Sequence, residues 1–166
     1  MTAKTESLED QVGELLLKNK LTIATAESCT GGMVAAKLVS VPGISQSFME
    51  GMVTYSNEAK MRRLGVKEET LKAWGAVSEQ TAREMAEGGA LGAGTDICIA
   101  ITGLAGPGGG SPEKPVGLVY MACFLKGDIK AEKHLFQGDR EEIRHQSMMA
   151  ALSLVLQCLL EYEERT

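Results

Sequence analysis

The run Ile97-Cys98-Ile99-Ala100-Ile101 decides the fold. It is apolar without alternation, so neither of its faces is left for water, which is the pattern of a strand covered on both sides in a parallel sheet flanked by helices. This is the expected central strand. It follows a stop signal, Gly92-Ala93-Gly94, that ends a helix opened by Ser78 and running to about Leu91.

Helical and strand patterns alternate outward from that run. Ser7 precedes Leu8, Val12, Leu15 and Leu16 at helical spacing, which predicts a first helix over Leu8 to Lys18. Leu21 to Ala24 reads as a short strand, and Met33 to Ser40 as a helix closed by Val41-Pro42-Gly43. Phe48 to Tyr55 reads as a second strand, with short helices starting near Asn57 and over Glu68 to Trp74. Val116 to Leu125 is a further strand, and Gly127-Asp128 allows a hairpin into Lys130 to Phe136, whose charged alternation marks an exposed edge. Asp139 caps a last helix with a stripe of Ile143, Leu152, Val155, Leu156, Leu159 and Leu160. Interleaved strands and helices predict an α/β layered fold with a mixed sheet. No linker, repeat or low-complexity segment divides the 166 residues, which suit one domain.

Composition narrows the function. Hydrophobic residues at 44% and charged residues at 23% fit an ordinary globular protein, and the net charge of −5 argues against a nucleic-acid partner. Cys29, Cys98, Cys123 and Cys158 form no C-x-x-C pair, and three lie within apolar runs, so reduced thiols in a cytoplasmic setting are expected. Met1 to Asp10 is polar and acidic, so neither a signal peptide nor an anchor is expected, and no run approaches membrane-spanning length. His134 and His145 stand apart from any Cys or acidic cluster, so no metal is expected.

In open α/β sheets ligands gather beyond the carboxyl ends of strands, and the chain places its most reactive residues there. Thr25-Ala26-Glu27-Ser28-Cys29-Thr30-Gly31-Gly32 passes from strand to helix, setting a hydroxyl beside backbone N–H groups that could hold an oxyanion. Taken alone it reads more readily as an N-cap followed by a glycine turn. Val53-Thr54-Tyr55-Ser56-Asn57-Glu58-Ala59-Lys60 brings a Tyr and a Lys around a second strand end; a desolvated lysine takes a proton from a serine, and a tyrosine relays it or donates to an oxyanion. Thr102-Gly103-Leu104-Ala105-Gly106-Pro107 opens a long glycine-rich loop that matches neither the triphosphate nor the dinucleotide signature. Gly138-Asp139-Arg140 offers an arginine to an anion at a helix start, with Arg144 one turn on.

Together with Gly75-Ala76-Val77-Ser78 and Lys114-Pro115-Val116-Gly117, these segments run in order along nearly the whole chain, and in them the chain resembles the CinA C-terminal domain family of nicotinamide mononucleotide deamidases. The resemblance implies a three-layer α/β/α domain with a mixed, mostly parallel sheet, in its stand-alone form over 1–166. It implies hydrolysis of nicotinamide mononucleotide to nicotinate mononucleotide and ammonia without a cofactor, by a cytoplasmic homodimer. Carried onto this chain, Ser28 is the nucleophile, Lys60 its base and Tyr55 the helper. Thr102 and Arg140 bind substrate, and Glu27, Thr30, Gly31, Gly103 and Ala105 line the site.

Two other readings stay open at this point. Cys29 adjoins Ser28 near a helix start, where a thiol can ionise, so it is a rival nucleophile. The chain could also be a catalytically silent nucleotide-binding or regulatory relative of the same fold. Arg144 remains an alternative to Arg140 for the substrate's phosphate.

Overall fold

The computed structural model describes residues 6–166; residues 1–5, part of the polar stretch discussed above, lie outside it. Twelve residues, Leu8–Asn19, form α1, with the Ser7 hydroxyl accepting the Asp10 N–H as its N-cap. There follow β1 (Ile23–Glu27), α2 (Met33–Val39), β2 (Phe48–Val53), α3 (Asn57–Leu64), α4 (Glu68–Trp74), α5 (Glu79–Ala93), β3 (Ile97–Gly103), β4 (Leu118–Leu125), β5 (Asp128–Leu135) and α6 (Arg140–Arg165). The sheet order is β2-β1-β3-β4-β5, so the run that opened the reading is the central strand. β1 pairs in parallel with β2 and with β3, whereas β3–β4 and β4–β5 are antiparallel. The sheet is mixed as expected, with its pairings evenly divided; only β4 runs against the other strands.

Both faces of the sheet are buried, by different means. Ile23, Ile97, Ile99, Ile101, Val119 and Met121 point to one face and form the larger core with α1, α2 and α6. Ala24, Ala26, Cys98, Ala100 and Ala122 point to the other, where α5 lays down Ala82, Met85, Ala86 and Ala90. Large side chains hold three helices off one face, while small ones draw α5 close against the other. A Cβ on Gly89 would stand 2.6 Å from the Cys98 sulfur, and one on Gly88 would stand 1.6 Å from the Leu64 carbonyl oxygen at the end of α3. Those glycines set how near α5 can approach its neighbours.

Element edges differ from expectation where polar residues continue a strand. β1 extends through Thr25, Ala26 and Glu27, all fully buried, because their backbones pair on both sides with β2 and β3. The Ser28 N–H then bonds the Ile101 carbonyl at 3.1 Å, so Ser28 sits at the end of a strand and five positions ahead of α2. Ser28 is therefore not an N-cap; Gly32 holds that position and supplies no side chain. No helix among the described residues is long and apolar enough to cross a membrane.

The α5 contact gives a stability prediction. Gly88→Ala drives a methyl into the Leu64 carbonyl and is expected to lower the unfolding free energy in urea by at least about 1–3 kcal/mol. Gly92→Ala, on the same helix with its nearest neighbour 3.9 Å away, has room and is expected to raise it by about 0.5–1 kcal/mol.

Candidate active site

Three parallel strand ends and the start of α6 meet around one cleft of about 220 Å³. Ser28 follows β1, Tyr55 follows β2, and Thr102 and Gly103 end β3; Ala105 and Gly106 come from the loop beyond, and Arg140 opens α6. Lys60 enters from α3 because that helix's inward positions are Lys60 and Leu64, one turn apart, so the lysine's methylenes fill a place that an apolar residue would otherwise take. The lysine is only 2% exposed.

The amine of Lys60 lies 3.1 Å from the Ser28 hydroxyl oxygen and donates to the Thr54 carbonyl at 2.6 Å. Both partners are neutral oxygens, so they replace only part of the water lost around a positive charge. Burial accordingly lowers the Lys60 pKa below its ordinary value of 10.5, favouring the free amine. A neutral amine against a serine hydroxyl is the arrangement in which the serine's proton has somewhere to go.

Across the cleft, Arg140 donates to the Gly106 carbonyl at 2.7 Å and to the Tyr55 hydroxyl oxygen at 3.1 Å. Tyr55 thereby accepts with its oxygen and keeps its own O–H to give. The Thr102 hydroxyl donates to the Ala76 carbonyl at 2.8 Å, tying the turn between α4 and α5 over the cleft. Ala76, Val77 and Asn57 line the same space, although the segments that hold them carried no site role in the sequence reading. Asn57 could have been: it stands three positions before Lys60 on one helix, and residues so spaced share a face.

Glu27, Thr30 and Gly31 are not brought into the cleft. Glu27 is fully buried, and its carboxylate accepts the N–H groups of Val34 at 2.9 Å and Ala35 at 3.1 Å. It replaces the side chain that Gly32 lacks, capping α2 from the preceding strand. Glu27 therefore occupies two of the helix-end N–H groups expected to face an oxyanion at Ser28, those of Val34 and Ala35. Thr30 is fully buried, and Gly31 donates its N–H to the Ser28 carbonyl at 3.0 Å.

Arg144 also works on the turn, from the outside. Its guanidinium donates to the Cys29 carbonyl at 2.9 Å and to the Thr30 carbonyl at 3.3 Å, fixing the backbone that carries Ser28. Cys29 lines the cleft with 6% exposure, and burial pushes its thiol up to about 11, so it stays protonated at neutral pH. That weakens it as a rival to Ser28.

Relatives share this architecture. The family model described as the CinA C-terminal domain matches residues 5–159. A CinA-like protein of Kosmotoga olearia is 59% identical over 155 residues, covering 93% of this chain and 38% of its own length. A putative competence-damage inducible protein of Clostridium perfringens is 60% identical over 146 residues, covering 88% and 35%. The chain thus spans little more than a third of these curated relatives. Among solved structures, a competence-damaged protein (CinA) superfamily protein from Klebsiella pneumoniae superposes with a TM-score of 0.90 at 38% identity, over 96% of this chain and 99% of that one. The competence/damage inducible protein CihA of Agrobacterium tumefaciens gives a TM-score of 0.85 at 38% identity, over 95% and 99%. With its family model matched over nearly its whole length, the chain belongs to the CinA C-terminal domain family.

Proposed function

We propose that the protein is a cytoplasmic, homodimeric nicotinamide mononucleotide amidohydrolase working through Ser28, Lys60 and Tyr55. The observation that carries this reading is the 3.1 Å contact between the buried Lys60 amine and the Ser28 hydroxyl. Ser28 attacks the carboxamide carbon while its proton passes to the Lys60 amine. The new ammonium returns that proton to the amide nitrogen, the C–N bond breaks, and ammonia leaves an acyl group on Ser28. Water, deprotonated by Lys60, then attacks the acyl carbon, the bond to the Ser28 oxygen breaks as the Lys60 ammonium returns the proton to it, and nicotinate mononucleotide leaves. The Thr54 carbonyl holds the amine on line with the serine throughout. Tyr55, its oxygen engaged by Arg140, directs its O–H to the oxyanion or to the departing nitrogen.

The phosphate is assigned to Arg140. Arg140 lines the cleft, where it also donates to Gly106 and Tyr55, whereas Arg144 does not line it and binds the serine turn from outside.

Ammonia release from nicotinamide mononucleotide by the purified protein tests the assignment. Ser28→Ala is expected to lose about 10³-fold or more in kcat, and Cys29→Ala to keep turnover within about threefold, because only the former removes the attacking atom. Binding without turnover by the unmodified protein would instead favour a silent nucleotide-binding relative. Turnover by Ser28→Ala would remove the serine from the mechanism.

The rate should also report the state of Lys60. Only the neutral amine accepts a proton, so kcat/KM is expected to rise about tenfold per pH unit below the Lys60 pKa and to level above it. Because burial lowers that pKa, the limb should lie below 10.5. Lys60→Arg, which cannot become neutral, is expected to be inactive with no such limb. A rate that falls as pH rises through the neutral range would contradict a free-amine base.

A further inference from the structure

Two exposed side chains hold one another at the Ser28 cleft. The Tyr55 hydroxyl is bonded, among the described residues, by Arg140 alone, at 3.1 Å, and Tyr55 is 65% exposed. A side chain so open to solvent changes rotamer rapidly unless a partner fixes it. Arg140 is better anchored, because its other bond, at 2.7 Å, goes to the Gly106 carbonyl. Gly106 is buried, and a Cβ there would stand 2.5 Å from the Val116 side chain; two residues earlier, the Leu104 backbone bonds those of Leu118 and Gly117. Arg140 therefore reaches from a fixed carbonyl to a loosely held tyrosine. Its guanidinium carries more N–H groups than these two bonds use.

We propose that the substrate's own phosphate completes the catalytic site, by fixing Arg140 and through it Tyr55. The proposal rests on the amidase reading above and adds to it a coupling between the two ends of the substrate. A phosphate dianion on the unspent N–H groups makes a charge-assisted pair, stronger than the bonds the guanidinium makes to the neutral oxygens of Gly106 and Tyr55. Arg140 held in this way stops moving, and Tyr55, which leans on it alone, is fixed with its O–H available to the carboxamide. Arg140 is thus a positioning residue for Tyr55 as well as the phosphate's partner. Binding energy from a group that does not react is used to orient one that does, so the phosphate acts on kcat and not on KM alone. The cleft then selects a phosphorylated nucleoside over the bare nucleoside by rate.

The test divides the substrate into two pieces. Nicotinamide riboside lacks the phosphate, and inorganic phosphite supplies a small dianion that is not attached to it. Ammonia release from nicotinamide riboside is followed as phosphite is raised at constant ionic strength, with nicotinamide mononucleotide as the reference. The expected kcat for the riboside is about tenfold or more below that for the mononucleotide, and saturating phosphite should raise riboside turnover about tenfold. Phosphite should also compete with the mononucleotide, since both take Arg140. Arg140→Ala is expected to abolish the phosphite effect and to bring kcat for the mononucleotide down to about the riboside level. In Tyr55→Phe the residual turnover should be the same with and without phosphite, because the effect passes through the hydroxyl. Arg140→Ala keeps that hydroxyl, so its result decides the matter where Tyr55→Phe is too slow to follow.

A riboside kcat equal to that of the mononucleotide, with only KM raised, would overturn the proposal. So would riboside turnover that phosphite leaves unchanged, or activation by phosphite that survives in either variant. Absence of turnover with nicotinamide mononucleotide itself would remove the amidase reading and this proposal with it, whereas the preceding results overturn this proposal alone.

Discussion

A lysine amine buried against a serine hydroxyl is the constraint around which this domain is arranged. An ammonium at 2% exposure, with only a hydroxyl and a carbonyl for company, is costly to keep charged, and the fold lowers that cost by favouring the neutral base. The rest of the structure makes the burial possible. Three strands end side by side, so their following turns converge on one cleft, and α3 presents Lys60 on the same stripe as Leu64. α5 closes the sheet's second face, drawn in by small side chains and by its own glycines. Position and reactivity therefore have one origin, since the packing that hides the lysine is what shifts its proton equilibrium.

The turn carrying Ser28 shows how much supporting structure such a group needs. It is held from inside by Glu27, whose carboxylate caps α2, and from outside by Arg144, which binds two of its carbonyls. Neither side chain lines the cleft. Each fixes the backbone near the nucleophile, and small displacements of a reacting atom have large kinetic costs.

Much of this was legible in the chain. The unbroken apolar run at Ile97 gave away a strand covered on both faces, and Ser28, Tyr55, Lys60, Thr102 and Arg140 do converge on one cleft. Glu27 and the choice between Arg140 and Arg144 depend on tertiary structure: a charged residue near a nucleophile reads as part of the site until the backbone groups it serves are known. Glu27 looked like the start of a turn because its burial comes from pairing with β2 and β3, which the local sequence does not display.

The central claim is that burial shifts Lys60 toward the free amine that Ser28 needs as its base. The direct measurement is a carbon-13 NMR titration of the lysine side chains, with Lys60 assigned by the resonance lost in Lys60→Arg. The account predicts a midpoint below the ordinary 10.5 that coincides with the rising limb of kcat/KM. A Lys60 resonance that titrates at or above 10.5 would mean an ammonium beside Ser28, and the account would be wrong.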